Sequence, residues 1–287
     1  MISFDSSMQK ISIVITTKNE EKVIGRLLKS ISSQTYKNYE VILVDNKSSD
    51  KTLNIAKKNN IKTYTKGPER SAQRNFGASK SHGLYLLFLD ADMELSPNLL
   101  MTCVDQIEKT KSKIITIAET TVGEGLIPRI RKFEREMYMG EENYEVPRLF
   151  ERQAFFEFGG YDTNLTGPED YDLPFRMRKK YKSTRVNDYI YHHEENATLY
   201  SLLKKKYYYA SSGAFYAEKH PELIKTQGTI LFRGVYVKNW RKFIKSPFLG
   251  ISFLVVRILE TIWAVSGFIN KVGIKNFVVI AFTSLKR

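Results

Sequence analysis

Residues 11–52, with the sequence ISIVITTKNEEKVIGRLLKSISSQTYKNYEVILVDNKSSDKT, alternate between two periodicities. Two runs rich in β-branched and other apolar residues, Ile11–Thr16 and Tyr39–Val44, are typical of buried strands. Between these runs, apolar residues recur at the spacing of one helix face: Val23, Ile24, Leu27, Leu28 and Ile31. This stretch therefore predicts a strand, a helix and a second strand.

The same alternation continues to residue 92 and indicates the fold class. We expect further elements after Ser49 or Asp50 (helix), at Ile61–Thr65 (strand), Glu69–Ser81 (helix) and Leu84–Leu89 (strand). Strands that alternate with helices predict an α/β fold with a mainly parallel sheet flanked by helices. Ligands bind beyond the carboxyl ends of such strands. Three polar segments at strand ends should therefore meet in one crevice: Thr17–Glu20, Asp45–Asp50 and Asp90–Asp92.

The pattern changes twice further along the chain. Beyond residue 97 it is mixed, with a helix expected near Pro97–Lys109, a strand near Lys113–Ile117, a helix near Ile127–Met139 and a strand ending at His192-His193. Beyond residue 198 the strand signal fades, and aromatic, basic helical segments follow. We expect a domain at residues 1–197, with halves at about 10–110 and 111–197, and a helical appendage at 198–287.

Composition excludes several classes of protein. The 287 residues are 42% hydrophobic and 26% charged, a balance typical of globular proteins and not of disordered chains. A single cysteine, Cys103, excludes an intrachain disulfide and a Cys-based zinc or iron–sulfur site. The chain has no G-x-G-x-x-G after its first strand, no P-loop and no G-x-S-x-G, so dinucleotide-binding, P-loop and serine-hydrolase sites are not expected. No signal peptide is expected, which favours a cytoplasmic protein.

The net charge of +14 is concentrated near the end of the chain. Residues 200–287 contain 15 Lys and Arg and three Glu, a net charge of +12, and residues 1–199 carry only +2. Such an excess indicates an anionic partner, for example nucleic acid, an anionic membrane or a phosphorylated substrate. The partner should therefore meet the last third of the chain.

Asp90 and Asp92 form the strongest local signal. They follow the apolar run Leu84–Leu89 and are separated by one residue. Carboxylate oxygens at a strand end suit Mg²⁺ or Mn²⁺, which can also hold a substrate diphosphate. A solvated pair of turn acids is the alternative for the motif taken alone.

Two further groups are expected near this strand edge. Asp45 ends a buried run and could accept hydrogen bonds from a ribose or base, whereas Asp50 is better explained as a helix cap. Arg70 and Arg74 are four residues apart, on one face of the third predicted helix, and could hold a nucleotide or its phosphates. A solvated basic face is the alternative for isolated arginines.

Two motifs lie nearer the end of the predicted domain. Glu169 and Asp170 follow Gly167-Pro168 at a probable helix start, where one could act as a general base or both could simply favour the helix dipole. His192 and His193 end a predicted strand, and a neutral imidazole there could complete the metal site. Neither motif decides between these interpretations alone.

In order and spacing, these motifs resemble the family 2 glycosyltransferases and their GT-A fold. The matching segments are residues 11–52, then RSAQRNFGASKSHGLYLLFLDAD at 70–92, then GGYDTNLTGPEDYDLPFRM at 159–177. The resemblance covers roughly residues 10–195. It implies an enzyme that moves a sugar from a UDP- or GDP-linked donor to an acceptor with inversion, in glycan biosynthesis. The chain lacks the Q-x-x-R-W motif of the family's processive polymerases, which favours transfer of a single sugar.

The resemblance also implies roles for individual residues. Donor nucleotide binding falls to Thr17, Asn19, Glu20, Asp45, Arg74 and Asp90, to which the helix-face pattern adds Arg70. Asp90-Ala91-Asp92 matches the DXD motif, which implies a divalent Mn²⁺ or Mg²⁺ cofactor held by Asp92, with Asp90 nearer the ribose and His192 or His193 as a further ligand. Glu169-Asp170 matches the ED motif, in which Asp170 is the expected catalytic base.

The basic, apolar tail favours a membrane surface as partner. Between Phe248 and Leu285 the longest segments without charge are about ten residues, short of a spanning helix. Amphipathic helices in the interface fit better, with basic side chains at anionic headgroups. We therefore expect a peripheral or monotopic protein on the cytoplasmic membrane face, acting on a lipid-linked acceptor of polyprenyl or dolichyl type.

Three alternatives remain open for the tail. It could form a core or dimer interface in a homo-oligomer acting on a soluble glycan, or it could span the membrane or form a re-entrant hairpin. A nucleic-acid-binding protein is the alternative from another class, with the tail as a stacking and phosphate-binding surface. That alternative leaves Asp90, Asp92, Glu169 and Asp170 unexplained, so nucleic acid is not the expected partner.

Overall fold

The computed structural model describes residues 10–210, 212–220, 222 and 233–274. They belong to two compact units. The first runs to Thr120 and includes Val146–Thr163 and Glu169–His193; the second contains Thr121–Glu145, Asn164–Pro168 and the chain from Glu194 onward. The predicted domain boundary at residues 197 and 198 stays a prediction. Within the predicted appendage, residues 223–232 and 275–287 lie outside the described residues.

In the described part of the chain, eight strands form one sheet in the order β3-β2-β1-β4-β7-β6-β8-β5. They are β1 (Ile11–Thr17), β2 (Tyr39–Asp45), β3 (Lys62–Thr65), β4 (Tyr85–Asp90), β5 (Met93–Leu95), β6 (Ile114–Val122), β7 (Pro147–Glu151) and β8 (Ser183–His193). β1 is parallel to β2 and β4, and β2 to β3. β7 is antiparallel to β4 and β6, and β5 to β8. The predicted α/β class is confirmed; the sheet is mixed, with parallel pairs from β3 to β4 and antiparallel pairs at β4–β7, β7–β6 and β8–β5.

The described helices divide between the two units. In the first unit they are α1 (Ile24–Ser32), α2 (Thr52–Lys58), α3 (Arg70–Ser79), α4 (Leu99–Thr110), α6 (Arg152–Glu157) and α7 (Glu169–Arg178). In the second unit they are α5 (Leu126–Tyr138), α8 (Leu199–Ala210), α9 (Gly213–Lys219), α10 (Gly234–Lys238), α11 (Trp240–Lys245) and α12 (Pro247–Val272).

Both faces of the central strands are buried, which explains their continuous apolar runs. In β1, Ile11, Ile13 and Ile15 belong to one hydrophobic cluster and Val14 to the other. The two clusters share β4 in the same alternating way, because successive side chains of a strand point to opposite faces. Burial on both faces forces the polar residues to the strand ends, where the sequence places them.

The first unit also contains two strands that the periodicity did not predict. β5 has three residues, and β7 begins at Pro147 and contains Arg148, so neither shows a continuous apolar run. β7 nevertheless lies between β4 and β6 in the sheet. Its position depends on pairing with distant strands, which a local pattern does not contain.

The second unit is built around a buried charge cluster. Glu134 of α5 lies 2.7 Å from Arg257 of α12, and Arg257 also pairs with Glu260 one turn along. Burial alone would raise the pKa of Glu134, but the guanidiniums of Arg257 and Arg131 bring it far below its ordinary value. The ion pair between Arg257 and Glu134 therefore ties the middle of α12 to α5.

α12 is longer than the charge spacing suggested. It is one continuous helix of 26 residues. Of the described helices, it is the one that is long and apolar enough to cross a membrane. Only 28% of its most apolar 18-residue window is buried inside the protein.

The packing of α3 on the sheet can be tested at Gly77. A Cβ atom there would lie 2.4 Å from Val14 and 3.1 Å from Val44, so Gly77→Ala should force the helix from the sheet and lower the free energy of unfolding by about 1–3 kcal/mol. Urea denaturation measures the change. Gly25→Ala, at a helical position with no atom within 4 Å, is the matched control and should leave stability equal or higher. Equal stability of the two variants would contradict this packing.

Candidate functional site

The ends of β1 and β2 bring Thr17 and Asp45 together. The buried carboxylate of Asp45 accepts a hydrogen bond of 2.7 Å from the Thr17 hydroxyl. It also accepts 2.7 Å and 2.6 Å hydrogen bonds from the backbone N–H and hydroxyl of Ser48. Asp45 therefore shapes the loop after β2 as well as lying at the predicted crevice.

Asn19 and Glu20 join the loops that follow these two strands. Asn19 has a left-handed backbone (φ 58°); its N–H donates to the Ser48 hydroxyl at 2.7 Å, and its side-chain oxygen accepts from the Ser49 N–H at 2.9 Å. The N–H of Glu20 donates to the Thr52 hydroxyl at 2.7 Å. Ser48 thus links the pair Thr17 and Asp45 to Asn19, and Glu20 is bonded to the start of α2.

α3 supplies two arginines that meet the acidic motifs. Arg74 is fully buried; its Nη1 lies 2.6 Å from Asp170, and its Nη2 lies 3.0 Å from Asp90. Arg70 lies 3.2 Å from Glu169 and 3.9 Å from Asp90. The structure therefore brings together five predicted site residues that come from three segments of the chain.

Burial and these ion pairs shift the pKa values of Asp90 and Glu169 in opposite directions. Burial would raise the pKa of Asp90, but the guanidiniums of Arg74, Arg70 and Arg148 hold it well below its usual range. The pKa of Glu169 is raised, because the carboxyl group is buried and lies beside the negative charge of Asp170. The site thus holds an ionised Asp90 beside a carboxyl group whose charged form is disfavoured.

Arg148 and Glu119 belong to the same cluster, and sequence reasoning missed them. Arg148 Nε donates to Glu119 at 2.7 Å, and its Nη1 lies 3.7 Å from Asp90 and 3.9 Å from Asp170. The other oxygen of Glu119 lies 2.9 Å from His192 Nε2. Glu119 directly follows the largely apolar run Ile114–Ala118, and that signal could have identified it. Arg148 lies in β7, which the periodicity did not predict.

The two histidines have separate carboxylate partners. His193 Nε2 lies 2.6 Å from Glu94, whereas His192 is bonded to Glu119. Because they are adjacent in β8, their side chains point to opposite faces of the strand. His192 is joined through Glu119 and Arg148 to Asp90, whereas His193 pairs with Glu94.

Asp92 is the residue that decides whether this site could bind a divalent ion. Its half-buried carboxylate makes no hydrogen bond or ion pair with the described residues, although all the other site acids have partners. Within the same part of the chain, no three His, Cys, Asp or Glu side chains form a ready-made metal group. Mg²⁺ commonly binds through one or two carboxylates plus substrate phosphates, so the residues present fit an ion that arrives with a diphosphate.

The fold is similar to that of solved glycosyltransferases. The structure of S. aureus TarS 1-349 in complex with UDP covers 91% of this chain and 88% of its own, with a TM-score of 0.57 and 19% identity. A mannosyltransferase from Pyrobaculum calidifontis, in complex with GDP-Man and Mn²⁺, covers 91% of this chain and 87% of its own, with a TM-score of 0.67 and 14% identity. At these identities the likeness concerns the fold alone.

Curated relatives match part of the chain. A dolichyl N-acetyl-alpha-D-glucosaminyl phosphate 3-beta-D-2,3-diacetamido-2,3-dideoxy-beta-D-glucuronosyltransferase from Methanococcus voltae is 28% identical over 178 residues, 55% of this chain and 54% of that protein. An uncharacterized glycosyltransferase from Haemophilus influenzae is 26% identical over 180 residues, 58% of this chain and 61% of that protein. The chain thus spans less than two thirds of the length of either relative.

A family model matches the sequence across the strands and loops that carry most of the site. The model, described as glycosyl transferase family 2, matches residues 12–166, which is more than half of the chain. The resemblance expected from the motifs is therefore confirmed: the chain belongs to glycosyl transferase family 2.

Proposed function

We propose that the protein transfers one sugar from a nucleoside-diphosphate sugar to an acceptor hydroxyl or phosphate, with inversion. One observation carries the proposal: the buried guanidinium of Arg74 binds Asp90 and Asp170 at once. The donor-binding and base motifs therefore share one small region. Family membership supports the reaction class.

Asp170 is the proposed base. As the acceptor oxygen attacks the anomeric carbon, the bond from that carbon to the diphosphate oxygen breaks, and the acceptor proton moves to Asp170. The attack comes from the face opposite the leaving nucleotide, so the configuration inverts. Arg74, 2.6 Å from Oδ1 of Asp170, orients the carboxylate and leaves Oδ2 for the acceptor.

The donor nucleotide is proposed to lie over the ends of β1, β2 and β4. Thr17, Asn19, Glu20 and Asp45 would hold the base and ribose, and Arg70 and Arg74 would face the diphosphate. Solved neighbours contain UDP or GDP-Man, which supports a UDP- or GDP-linked donor.

Asp92 is the proposed ligand of Mn²⁺ or Mg²⁺, with Asp90 beside it and His192 or His193 as a further candidate. The unpartnered carboxylate of Asp92 supports this assignment. A divalent ion bound there with the diphosphate would stabilise the charge that develops on the leaving nucleotide. The neighbour with Mn²⁺ and GDP-Man is consistent with such a site.

The polarity of α12 supports a membrane-bound acceptor. Arg257 and Glu260 are buried on the inner face of the helix, whereas the outer face exposes only apolar side chains along its first four turns: Phe248, Ile251, Leu254, Val255, Ile258 and Ile262. A helix of a soluble protein shows the opposite arrangement. Apolar side chains on this scale are stabilised by lipid, so we propose that the outer face lies in the bilayer interface.

Basic and aromatic residues precede this face. α10 and α11 expose Lys238, Trp240, Arg241 and Lys245, side chains suited to anionic headgroups and to the interface. A peripheral or monotopic position on the cytoplasmic face would bring the enzyme to a lipid-linked acceptor. The dolichyl phosphate in the name of the Methanococcus relative supports an acceptor of that class.

Asp170→Asn should lower the rate of sugar transfer by about 10²–10⁴-fold while donor binding stays nearly unchanged, because the amide cannot take the acceptor proton. Nucleotide release measures the rate, and calorimetric titration measures donor binding. Asp105→Asn, at an exposed position of α4, is the control and should behave as the wild type. Transfer by Asp170→Asn at the wild-type rate would refute the assignment of the base.

Asp92→Asn should weaken Mn²⁺ binding to the protein–UDP or protein–GDP complex, because the variant loses the unpartnered carboxylate. Paramagnetic resonance of free Mn²⁺ measures this binding without requiring activity. EDTA should weaken nucleotide binding by the wild type more than by the variant. Equal Mn²⁺ affinity of the two proteins would exclude Asp92 as a ligand.

The double variant Ile251→Ser, Ile258→Ser should lose flotation with vesicles containing phosphatidylglycerol. Burial of one isoleucine side chain in lipid contributes about 1.5–3 kcal/mol to membrane binding. Loss of both should therefore lower the partition coefficient between vesicles and water by at least about 100-fold. Leu84→Ser, at an exposed apolar position of the first unit, is the control and should float as the wild type does. If the double variant instead changed the oligomeric state and kept its flotation, α12 would be a dimer interface and a soluble acceptor would be favoured.

A further inference from the structure

Three polar atoms in the first unit face one another without forming hydrogen bonds. Nη1 of Arg148 lies 3.7 Å from Oδ2 of Asp90 and 3.9 Å from Oδ2 of Asp170. These distances allow electrostatic attraction but exceed the length of an N–H···O hydrogen bond. The Arg148 side chain is only 6% exposed, and Nη1 has no hydrogen-bond partner among the described residues. A buried donor of this kind is rare in native proteins and calls for an acceptor.

The rest of Arg148 is held firmly in place. Its Nε donates to Glu119 at 2.7 Å, and Glu119 is bonded in turn to His192 at 2.9 Å. Arg148 lies on β7 and Glu119 on β6, neighbouring strands of the sheet. The direction of Nη1 is therefore set by the scaffold, as expected for a group that positions a ligand.

The surroundings of Nη1 select the chemistry of the acceptor. A hydroxyl group can accept from a guanidinium and donate its own hydrogen to a carboxylate at the same time. A phosphate oxygen can accept from Nη1 but would be repelled by Asp90 and Asp170. An oxygen about 2.9 Å from Nη1 would also be within reach of either carboxylate. A hydroxyl group fits this environment best.

We propose that Arg148 binds a hydroxyl group of the sugar carried by the nucleotide donor, with Asp90 accepting the hydrogen of that hydroxyl. The inference rests on the proposed function, since it places the sugar between the donor motif and the base. The proposal gives a residue of β7 a contact with the transferred sugar, although no sequence motif includes that residue. Arg148 thereby contributes to the choice of donor sugar.

The test compares binding of a nucleotide with binding of the same nucleotide linked to a sugar. Calorimetric titrations with Mn²⁺ and no acceptor give Kd values for UDP, UDP-glucose, GDP and GDP-mannose. Arg148→Gln should raise the Kd of the preferred nucleotide sugar about tenfold or more, the usual effect of losing a hydrogen bond to a charged group. The Kd of the matching free nucleotide should change less than twofold.

Two further variants keep the result interpretable. Arg148→Gln leaves Glu119 buried without its cation and could disturb folding. The double variant Arg148→Gln, Glu119→Gln removes both charges and should show the same selective loss with a circular dichroism spectrum like that of the wild type. Arg26→Gln, the same change at an exposed position of α1, should leave all four Kd values unchanged.

The possible results separate the assignments. An equal loss for the free nucleotide and its sugar conjugate would show that Arg148 meets the diphosphate, and the proposal would be wrong. If Arg148→Gln left the four Kd values unchanged and raised the KM for the acceptor, Arg148 would contact the acceptor and not the donor sugar. That result would also overturn the proposal. A wild-type protein that binds none of the four ligands would overturn the proposed function, and with it this contact.

Discussion

The buried ion pairs of Arg74 are the interaction on which the candidate site depends. A guanidinium that is fully shielded from water is stable only when carboxylates pair with it, and its partners here are Asp90 and Asp170. These residues are 16 and 96 positions away from Arg74 in the chain. The need to pair one buried cation therefore holds the end of β4 against the start of α7. The geometry of the site and the stability of the fold share this requirement.

Neighbouring charges extend the same network and give similar residues different properties. Asp90 faces three guanidiniums, which keep it ionised. Glu169 is adjacent to Asp170 in sequence but almost fully buried, and its pKa is raised. Environment, and not residue type, shifts the pKa values of these carboxylates in opposite directions. Asp92 differs again, since its carboxylate has no partner among the described residues.

In the second unit, α12 has charged side chains on its buried face and apolar side chains on its exposed face. The charges of Arg257 and Glu260 are turned inward toward Glu134, and apolar side chains are turned outward. Pairing within the cluster compensates for burial of the charges. The net charge of +12 in residues 200–287 first indicated an anionic partner. The helix adds to that indication, because the exposed surface of its first turns is apolar and exposed cations precede it in α10 and α11.

The sequence by itself determined the strand–helix alternation, the polar strand ends and the family motifs, because periodicity and spacing are local properties of the chain. It therefore predicted β1, β2 and β4, the placement of Asp45 and Asp90, and the face shared by Arg70 and Arg74. Only the tertiary structure decided that β7 lies between β4 and β6, that Arg148 points at Asp90 and Asp170, and that Arg257 faces inward. Those facts depend on pairing and burial between residues far apart in the chain, and no local pattern records which distant partner a buried charge will meet.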